Sequence, residues 1–557
     1  MYRPAAIWRP TPPRFLVRGG LLRETGRLLV QLPGSFRTRS SFVQLMRDIQ
    51  LVWFKRDLRI RDHAALTAAA ARGPVLCLYV YEPALLQADD HDAIHLDFVN
   101  GCLHELSASL RARGVLMHRR TGAMVPVLEA LWAEIARLAT PSRLESIWAH
   151  EETTGWTAYQ RDRDVRRWCR ERGVTCHELP QTGVVRRLAS RDGWASAWEA
   201  RMAARPLPPP PRMEGITLTE TGTVFDSTML PSTAAARQSL QLGGESAARD
   251  TLRSFLRERG VNYRVEMSSP VTAFDACSRL SAYMSVGAIS VRTCEHSTRA
   301  RLVQLADALD AGEFVDLRWR NSIGSFRSRL RWHCHFMQKL EDQPRLEFET
   351  MCDAYVGLRN EQEVDATRLD AWIHGQTGYP LIDACMRAVR ATGWLPFRMR
   401  AMVVSFASYH LWLHWRFTAP LLAQHFLDFE PGIHYSQFQM QSGVTGINAI
   451  RIYNPVKQAV EQDPDGRFIR TWVPELAAVP LESLAEPHRM PVMLQAMYGI
   501  QIGRDYPNPI VDNVTAMRAA RDQVWAVRKA PGTRQAARRV YDKLGSRKEP
   551  FHKRDIR

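Results

Sequence analysis

The chain has 557 residues, more than the roughly 250–300 residues that a single hydrophobic core supports, so two or three domains are expected. Its hydrophobic fraction of 45% and charged fraction of 24% exclude a disordered or fibrous protein. No run of about 18 uncharged apolar residues is present to span a membrane. Nine cysteines without a CxxC pair are typical of a reducing compartment, so we predict a cytoplasmic protein.

The net charge is +17, and the first 45 residues contribute +7 of it through eight Arg and one acid. The remaining charge favours a polyanionic partner such as nucleic acid, although many proteins carry such charge for solubility alone. Residues 1–48 are predicted to be a disordered extension because they lack a sustained period. Their composition resembles a mitochondrial transit peptide, whereas a start of the chain at Met46 is the favoured alternative.

From residue 51, short apolar runs alternate with helical stretches at a spacing of about 25 residues, which predicts βαβ units. The runs lie at 51–54, 75–80, 116–118 and 146–148, and helical patterns between them lie at 63–71, 98–113 and 126–138. Residues 49–180 are therefore predicted to form an α/β domain with a doubly wound, Rossmann-like parallel sheet.

The chain then changes character twice. Residues 205–212 include four consecutive prolines in a Ser/Thr/Gly-rich stretch, so 181–246 is predicted to be an interdomain connector, with a proline-rich docking motif as the alternative. Helical periodicity dominates 247–530, most clearly at 247–259, 281–286, 325–340, 379–391 and 398–415, which predicts an all-α domain. Residues 531–557 are predicted to be a solvated basic tail, with a binding arm as the alternative.

Four blocks in order carry a family resemblance. The first reads LVWFKRDLR at 51–59 and continues as DHAAL at 62–66. The others are SRLSAY at 278–283, GYPLIDA at 378–384, and RIYNP at 451–455 followed by WVPEL at 472–476. Together they resemble the DNA photolyase/cryptochrome family over about residues 50–525. The resemblance implies an antenna domain, a helical FAD-binding domain, FAD as cofactor, and room for a second antenna chromophore of unknown identity.

The diphosphate of a dinucleotide needs backbone N–H groups and the positive end of a helix. The loop before the predicted helix at 281–286 can supply both, with Ser281 as its N-cap. In the resemblance this loop cradles the phosphates and an upstream tyrosine adds a contact. A capped helix without a ligand is the alternative. The predicted residues are Tyr263, Cys277, Ser278, Arg279, Leu280 and Ser281.

The flavin ring needs a charge near N5 and an acceptor for N3–H. Arg400 and Asp428 match the family's paired Arg and Asp over the ring, although an ordinary ion pair is the alternative. Glu430 stands where the family usually has the Asp that accepts from N3–H. His434, or Tyr435 if the gap falls earlier, replaces the Asn of repair enzymes, and an imidazole there is expected to titrate near neutral pH.

The predicted DNA contacts follow from the same resemblance. Trp332 and Trp394 match positions that stack on the damaged bases. Pro396 and Phe397 stand where the family has His-Asn, and the following Arg398 is expected to hold phosphates. Arg329 replaces the Glu that holds damaged pyrimidines in close relatives. Trp332, Trp394 and Arg329, with the relay residue Trp415, are the predicted catalytic residues.

The electron relay of the family is altered in this sequence. Trp415 matches its middle member, while the inner and outer members align with Phe438, or a neighbour of it, and near Gln362. Trp412 and Tyr409 precede Trp415 closely enough to offer another route.

The favoured function is therefore the light-driven splitting of cyclobutane pyrimidine dimers in DNA by a monomeric lyase that uses reduced FAD. One alternative is a cryptochrome-type photoreceptor that repairs nothing and signals to a partner. Another is a photolyase for the other pyrimidine photoproduct, with His333 and His434 as acids. No metal site is predicted, because His333 and His335 point to different sides of a helix and 463–466 lacks the remaining ligands of a calcium loop.

Overall fold

The computed structural model describes residues 46–230, 232 and 240–546. The extension predicted over 1–48 lies outside the described residues up to position 45. Its last part is not an extension, because Arg47 and Asp48 pair with Ser142 and Arg143 in the central sheet. The final residues of the predicted basic tail, 547–557, also lie outside the described part of the chain.

The N-terminal region is a parallel sheet with helices between its strands. Its strands are β1 (Arg47–Phe54), β2 (Val75–Tyr81), β3 (Met117–Thr121), β4 (Ser142–His150) and β5 (Thr175–Leu179). Its helices are α1 (Ala64–Ala70), α2 (Pro83–Leu86), α3 (Ala93–Arg111), α4 (Met124–Ala136) and α5 (Trp156–Arg172). The strand order is β3-β2-β1-β4-β5, so the order reverses at β1 and the doubly wound prediction is confirmed.

The three central strands, β1, β2 and β4, contain continuous apolar runs because both faces of the sheet are covered there. Leu51, Val52, Trp53 and Phe54 of β1 are all buried, and β1 lies between β2 and β4. Side chains of β1 therefore belong to two different apolar clusters, one on each face of the sheet.

The turn after β1 joins this sheet to the helical region. The Arg56 guanidinium donates to the carbonyls of Ser285, at 2.6 Å, and Phe429, at 3.0 Å. Arg59 donates to the carbonyl of Gly287 at 2.8 Å. Gly287 has φ 66°, and a side chain there would collide with the backbone of Arg56, so glycine is required for this close approach. The turn thus supports two loops of the helical region.

The connector predicted over 181–246 is more structured than its composition indicated. Residues Trp194–Ala203 form helix α6, in which Trp194 and Trp198 are buried. Further along, the N–H of Val75 in β2 donates to the carbonyl of Glu214, and Ile216 donates back to Val75. Apolar side chains on both segments give them core contacts, which the proline and serine content did not reveal.

The rest of the described chain is helical. Its first helices are α7 (Glu245–Ser254), α8 (Tyr263–Glu266), α9 (Ala273–Ala276), α10 (Ser281–Ser285), α11 (Val291–Asp310), α12 (Arg318–Asp342), α13 (Ala366–His374), α14 (Pro380–Thr392) and α15 (Phe397–Ser405). They are followed by α16 (Trp415–Ala423), α17 (Pro431–Gln441), α18 (Pro455–Gln462), α19 (Arg467–Trp472), α20 (Leu481–Leu484), α21 (Val492–Met497), α22 (Asn513–Lys529) and α23 (Thr533–Leu544). The predicted combination of an α/β domain and an all-α domain is confirmed.

Two details differ from the predictions. The helix expected at 398–415 is interrupted. A wide helical turn at 406–410 follows α15, Trp412 then adopts φ 57°, and α16 begins only at Trp415. The predicted solvated tail contains α23, which buries Ala536, Val540 and Leu544. These residues form an apolar stripe at helical spacing, so burial rather than charge decides the structure of this segment. None of the described helices is long and apolar enough to cross a bilayer.

Candidate functional site

A cavity of about 670 Å³ lies in the helical region. Its walls come from α12, α15, α17, the loop at 277–281 and the end of α23. This volume is in the range of about 300–1,000 Å³ that is usual for small-molecule and cofactor sites. The cavity therefore has the size that a dinucleotide site needs.

The structure brings most of the predicted site residues together around this cavity. Those that line it are Tyr263, Cys277, Ser278, Arg279, Ser281, Arg329, Trp332, Trp394, Phe397, Arg398, Arg400, Asp428, Glu430 and His434. Leu280 and Trp415 do not line it, and both are completely buried. Leu280 therefore contributes at most backbone groups, and Trp415 cannot contact a ligand in the cavity.

The cavity wall is electropositive. Six basic side chains line it, against two acids: Arg279, Arg329, Lys339, Arg398, Arg400 and Arg451 face Asp428 and Glu430. Burial also raises the pKa of Glu430 to about 7, so this carboxyl carries less negative charge at neutral pH than an exposed one. Such a wall favours anionic ligands, for example the phosphates of a dinucleotide or of DNA.

The loop at 277–281 is held so that several of its amides are available. Arg259 donates to the carbonyls of Cys277 and, at 2.8 Å, Ser278. Within the described part of the chain, the N–H groups of Ser278, Arg279 and Leu280 take part in no hydrogen bond. Arg279 adopts φ 59°, a conformation that is rare for a residue with a side chain and is often found at binding sites. The loop can therefore donate to phosphate oxygens.

The role predicted for Ser281 is wrong in one respect. Ser281 is the first residue of α10 and Leu280 is the N-cap, with no side-chain capping bond. The Ser281 side chain instead lies near Asp428 and contributes to lowering the pKa of that carboxyl. The phosphate loop is thus electrostatically linked to the ion pair over the predicted flavin position.

That ion pair forms in the structure as predicted from the sequence. The two guanidinium nitrogens Nη1 and Nη2 of Arg400 lie 3.0 and 2.8 Å from the two carboxylate oxygens of Asp428. Burial alone would raise the pKa of Asp428, but the facing Arg400 outweighs it and the pKa is lowered. Asp428 therefore stays ionised and holds the Arg400 charge in the cavity wall.

Several polar atoms in the cavity wall are buried and have no protein partner. Among the described residues that line the cavity, these atoms are Arg279 Nη1, His333 Nδ1, Arg398 Nε, Glu430 Oε1 and Gln437 Oε1. Unsatisfied buried polar groups are costly, so a ligand with both donors and acceptors is expected to occupy the cavity. FAD offers ring N–H and carbonyl groups as well as phosphates, so the residues present fit it.

The histidine predicted to face flavin N5 does line the cavity, whereas the neighbouring Tyr435 does not. The expectation that it titrates near neutral pH is wrong, because burial lowers the pKa of His434 to about 4. Its Nε2 lies 2.9 Å from the carbonyl of Ala419 and must carry the hydrogen. His434 is therefore a neutral imidazole with a fixed tautomer. Burial likewise lowers the pKa of His333 to about 4.

Aromatic side chains form the outer part of the wall. Trp332 is half-buried and its ring stacks on Phe336 with the centroids 5.7 Å apart. Trp394 is more enclosed, because the Arg279 guanidinium lies 4.2 Å over its ring and Phe274 contacts it at 5.0 Å. Phe397 is exposed by 52%. Trp332 and Phe397 are thus the more accessible surfaces for a base to stack on.

The surroundings of Trp415 differ from the predicted relay. Its ring contacts Tyr435, with centroids 6.3 Å apart, and Tyr435 in turn contacts His434 at 5.5 Å. Among the ring contacts of the described residues, none joins Trp412 or Tyr409 to Trp415; both lie beside the buried Arg359 instead. The aromatic connection from the cavity to Trp415 therefore passes through Tyr435, which the sequence suggests only as an alternative neighbour of flavin N5 and not as a member of the relay.

Sequence reasoning also missed two parts of the cavity wall. Lys339 is buried there with its pKa lowered by burial to about 8, at a helix position that no motif marked. Tyr541, Gly545 and Ser546 lie in the segment that was predicted to be a solvated tail. The apolar stripe of α23 was a signal that could have located the second group.

Comparisons with known proteins agree with this geometry. Residues 50–190 match the family model for DNA photolyase, and residues 326–526 match the model for the FAD binding domain of DNA photolyase. A deoxyribodipyrimidine photo-lyase of Salmonella typhimurium is 28% identical over 86% of this chain and 99% of its own length. A cryptochrome DASH of Gloeobacter violaceus is 25% identical, over 85% of this chain and 96% of its own.

A solved structure gives the same result. The class III photolyase of Agrobacterium tumefaciens superposes with a TM-score of 0.75 at 25% identity, covering 88% of this chain and all of its own. One family model matches the sheet region and the other matches much of the helical region, which supplies most of the cavity wall. The chain therefore belongs to the DNA photolyase/cryptochrome family and carries its FAD-binding domain.

Proposed function

We propose that this protein is a light-driven DNA repair enzyme that splits cyclobutane pyrimidine dimers. The observation that carries the proposal is the position of Trp332, Phe397, Arg329 and Arg398 on the wall of the same cavity as the flavin-site residues. Stacking surfaces and cations beside a cofactor cavity are the groups that hold a base outside the DNA stack.

Each part of the wall has a task in this proposal. The amides of the 277–281 loop hold the cofactor phosphates, and the Arg400–Asp428 pair fixes a positive group beside the ring. Reduced FAD, when bound, supplies the light-excited electron that opens the dimer and afterwards takes it back. Trp332 stacks on the flipped dimer, while Arg329 and Arg398 contact backbone phosphates.

A photoreceptor without repair activity is the second candidate. It is favoured by Arg329, which replaces the Glu that the resemblance assigns to dimer binding, and by the existence of cryptochrome relatives. Repair of the other photoproduct is disfavoured, because His333 and His434 both have pKa values lowered to about 4. At neutral pH both imidazoles are therefore neutral and lack the imidazolium proton that a general acid would donate.

The deciding experiment illuminates the purified, chemically reduced protein with an oligonucleotide that contains one cyclobutane dimer. The expected result is the light-dependent return of two intact pyrimidines, with none formed in the dark. A Trp332→Ala variant should retain its flavin and lose most of the repair. Normal flavin content without repair in the wild-type protein would overturn the proposal in favour of the photoreceptor.

DNA binding itself is tested by its dependence on salt. The affinity should fall as salt rises, and Arg398→Glu should reduce the slope of the log–log plot by about one to two. Arg163→Glu is the matched control, because Arg163 is exposed on α5 and does not line the cavity. Equal slopes for the two variants would contradict the assignment of Arg398.

A further inference from the structure

The last described helix, α23, lies beyond the residue at which the family model ends, position 526. It packs through Ala536, Val540 and Leu544 against the body of the protein, where it contacts α12 and α22. Its C-terminal end reaches the cavity, because Tyr541, Gly545 and Ser546 form part of the wall. A segment beyond the match to the family model thus contributes to the site.

The end of α23 is built for a close approach to the cavity. A Cβ atom added at Gly545 would lie 2.5 Å from the carbonyl oxygen of Tyr541 and 2.8 Å from its ring. A larger residue would therefore displace the Tyr541 ring. Tyr541 is 40% exposed, and the Arg538 guanidinium lies 5.6 Å over its ring. The ring thus has a fixed position and still offers surface to a ligand.

The exposed side of α23 is strongly basic. Arg534, Arg538, Arg539 and Lys543 are exposed, and Asp542 is the one acid of the helix. Arg534, Arg538, Tyr541 and Gly545 are spaced by four, three and four residues, so they lie along one face of the helix. This face runs from the outer surface of the protein to the cavity wall.

We propose that α23 is an additional DNA-binding element, in which the basic side chains contact phosphates beside the lesion and Tyr541 stacks on a base at the cavity entrance. The inference rests on the proposed function. Its chemistry is that of single-stranded nucleic acid sites, where cations follow the backbone and an aromatic ring takes a base.

The charge of the helix favours this role over that of a cover for an empty cavity. Arg329, Arg398 and Arg451 already make the cavity wall positive. A cationic helix that closed over these residues would meet like charge, whereas phosphates between the two would attract both.

The test measures the affinity of the full chain for a dimer-containing oligonucleotide as a function of salt. Arg534→Gln combined with Lys543→Gln should reduce the log–log slope by about two, since each phosphate contact contributes about 0.9. Tyr541→Leu should weaken binding at least about fivefold, the loss expected for one stacked base, whereas Tyr541→Phe should not.

The control removes two charges from the neighbouring helix, Arg518→Gln with Arg521→Gln, since α22 does not line the cavity. Flavin content and melting temperature of every variant show that the fold is retained. If the α23 variants have the same salt slope as the wild type, the inference about α23 is overturned while the proposed function still stands. If these variants bind the oligonucleotide more tightly than the wild type, α23 is a cover of the cavity and the inference is likewise overturned. Absence of DNA binding in the wild type would sink both proposals, while binding without repair would sink only the repair function.

Discussion

Two groups of buried polar residues invite comparison, one at the ends of β1 and β4 and one around the cavity. In the first, Lys55 Nζ lies 3.0 Å from Asp162, and Arg161 donates to Glu82 at 2.6 Å. Asp57 lies between two imidazoles, 2.7 Å from His150 Nδ1 and 3.1 Å from His63 Nε2. The charged groups of this cluster are paired within the protein, although the His63 Nε2 atom makes no hydrogen bond within the described part of the chain.

The cavity group is arranged differently, because five of its buried polar atoms have no partner among the described residues. A buried charge is tolerated when it is paired, and an unpaired buried polar atom costs about 1–3 kcal/mol. The first group is therefore structural and the second is prepared for a ligand. Asp57, His63 and His150 have the composition of a metal site. However, the Asp57 carboxylate and His150 Nδ1 are 2.7 Å apart and form a hydrogen bond with each other.

The largest expected effect concerns the one strong pair in the cavity wall. Asp428→Ala leaves Arg400 without its ion-pair partner and Arg279 without a nearby negative charge. We expect the flavin content per chain to fall at least about tenfold, because a buried charge that loses its partner costs about 3–5 kcal/mol. Absorbance of the purified protein near the flavin maximum measures this content.

A second ion pair in the helical region provides the control. Arg387 and Glu475 lie 2.8 Å apart with both side chains about as exposed as Arg400, and neither lines the cavity. Glu475→Ala should therefore purify with a full complement of flavin. If it loses flavin as Asp428→Ala does, the effect belongs to the stability of the domain and not to the site.

The next prediction concerns the first group, the paired charges at the ends of β1 and β4. Asp162→Ala removes the closest partner of the buried Lys55, so the free energy of unfolding should fall by about 3–5 kcal/mol. The flavin content of the folded fraction should not change, since no residue of this group lines the cavity. Asp164→Ala on the same helix breaks the exposed pair with Arg167 and should cost less than about 1 kcal/mol in urea unfolding.

Features with a local sequence signal could be predicted, whereas features that depend on which helices meet could not. The strands were found because buried parallel strands have continuous apolar runs, and the loop at 277–281 and the Arg400–Asp428 pair were found through motifs. In contrast, Lys339 and Tyr435 lie in no motif, and their roles depend on which helices meet. The neutral state of His434 likewise depends on burial that a sequence does not display.

The C-terminal segment shows a different failure. Its charge was read as a sign of solvation, yet Ala536, Val540 and Leu544 fall on one side of α23 and determine its packing. The basic residues lie on the other side of the same helix. Composition averages the two sides, whereas helical spacing separates them.

The third prediction sharpens the comparison through pH. Burial raises the pKa of Glu430 to about 7, so in flavin-free protein the folded state keeps its proton while the unfolded state has lost it. The free energy of unfolding should therefore decrease as pH rises from about 4.5 to 7, by about 3 kcal/mol at 1.36 kcal/mol per pKa unit. Glu430→Gln should remove this dependence, which chemical unfolding at several pH values would reveal. An identical pH dependence in the variant would assign it to other groups.

The last prediction concerns Tyr435. This residue has a hydrogen-bond partner and follows His434, a residue of the cavity wall. Its hydroxyl donates to Asp90 at 2.7 Å, and burial raises the pKa of that carboxyl, which makes its ionised form a better proton acceptor. When Tyr435 gives an electron toward the flavin, its proton can pass to Asp90, and an electron from the adjacent Trp415 can replace the one lost. Photoreduction of bound FAD by an added thiol should then slow about tenfold in Trp415→Phe and in Tyr435→Phe.

Trp412→Phe is the matched control and should leave the rate unchanged. The Arg359 cation lies 4.5 Å from its ring and disfavours a positive hole there, and its ring makes no contact with Trp415 in the described part of the chain. Asp90→Asn keeps the shape of the acceptor and removes its basicity, so it should slow the reaction as Tyr435→Phe does. Dark reduction by dithionite and flavin content should stay the same in all four variants, which separates the electron path from misfolding. Fast photoreduction in Tyr435→Phe would exclude this path. The phenyl ring preserves the packing but lacks the hydroxyl group, whose proton must leave when the tyrosine is oxidised.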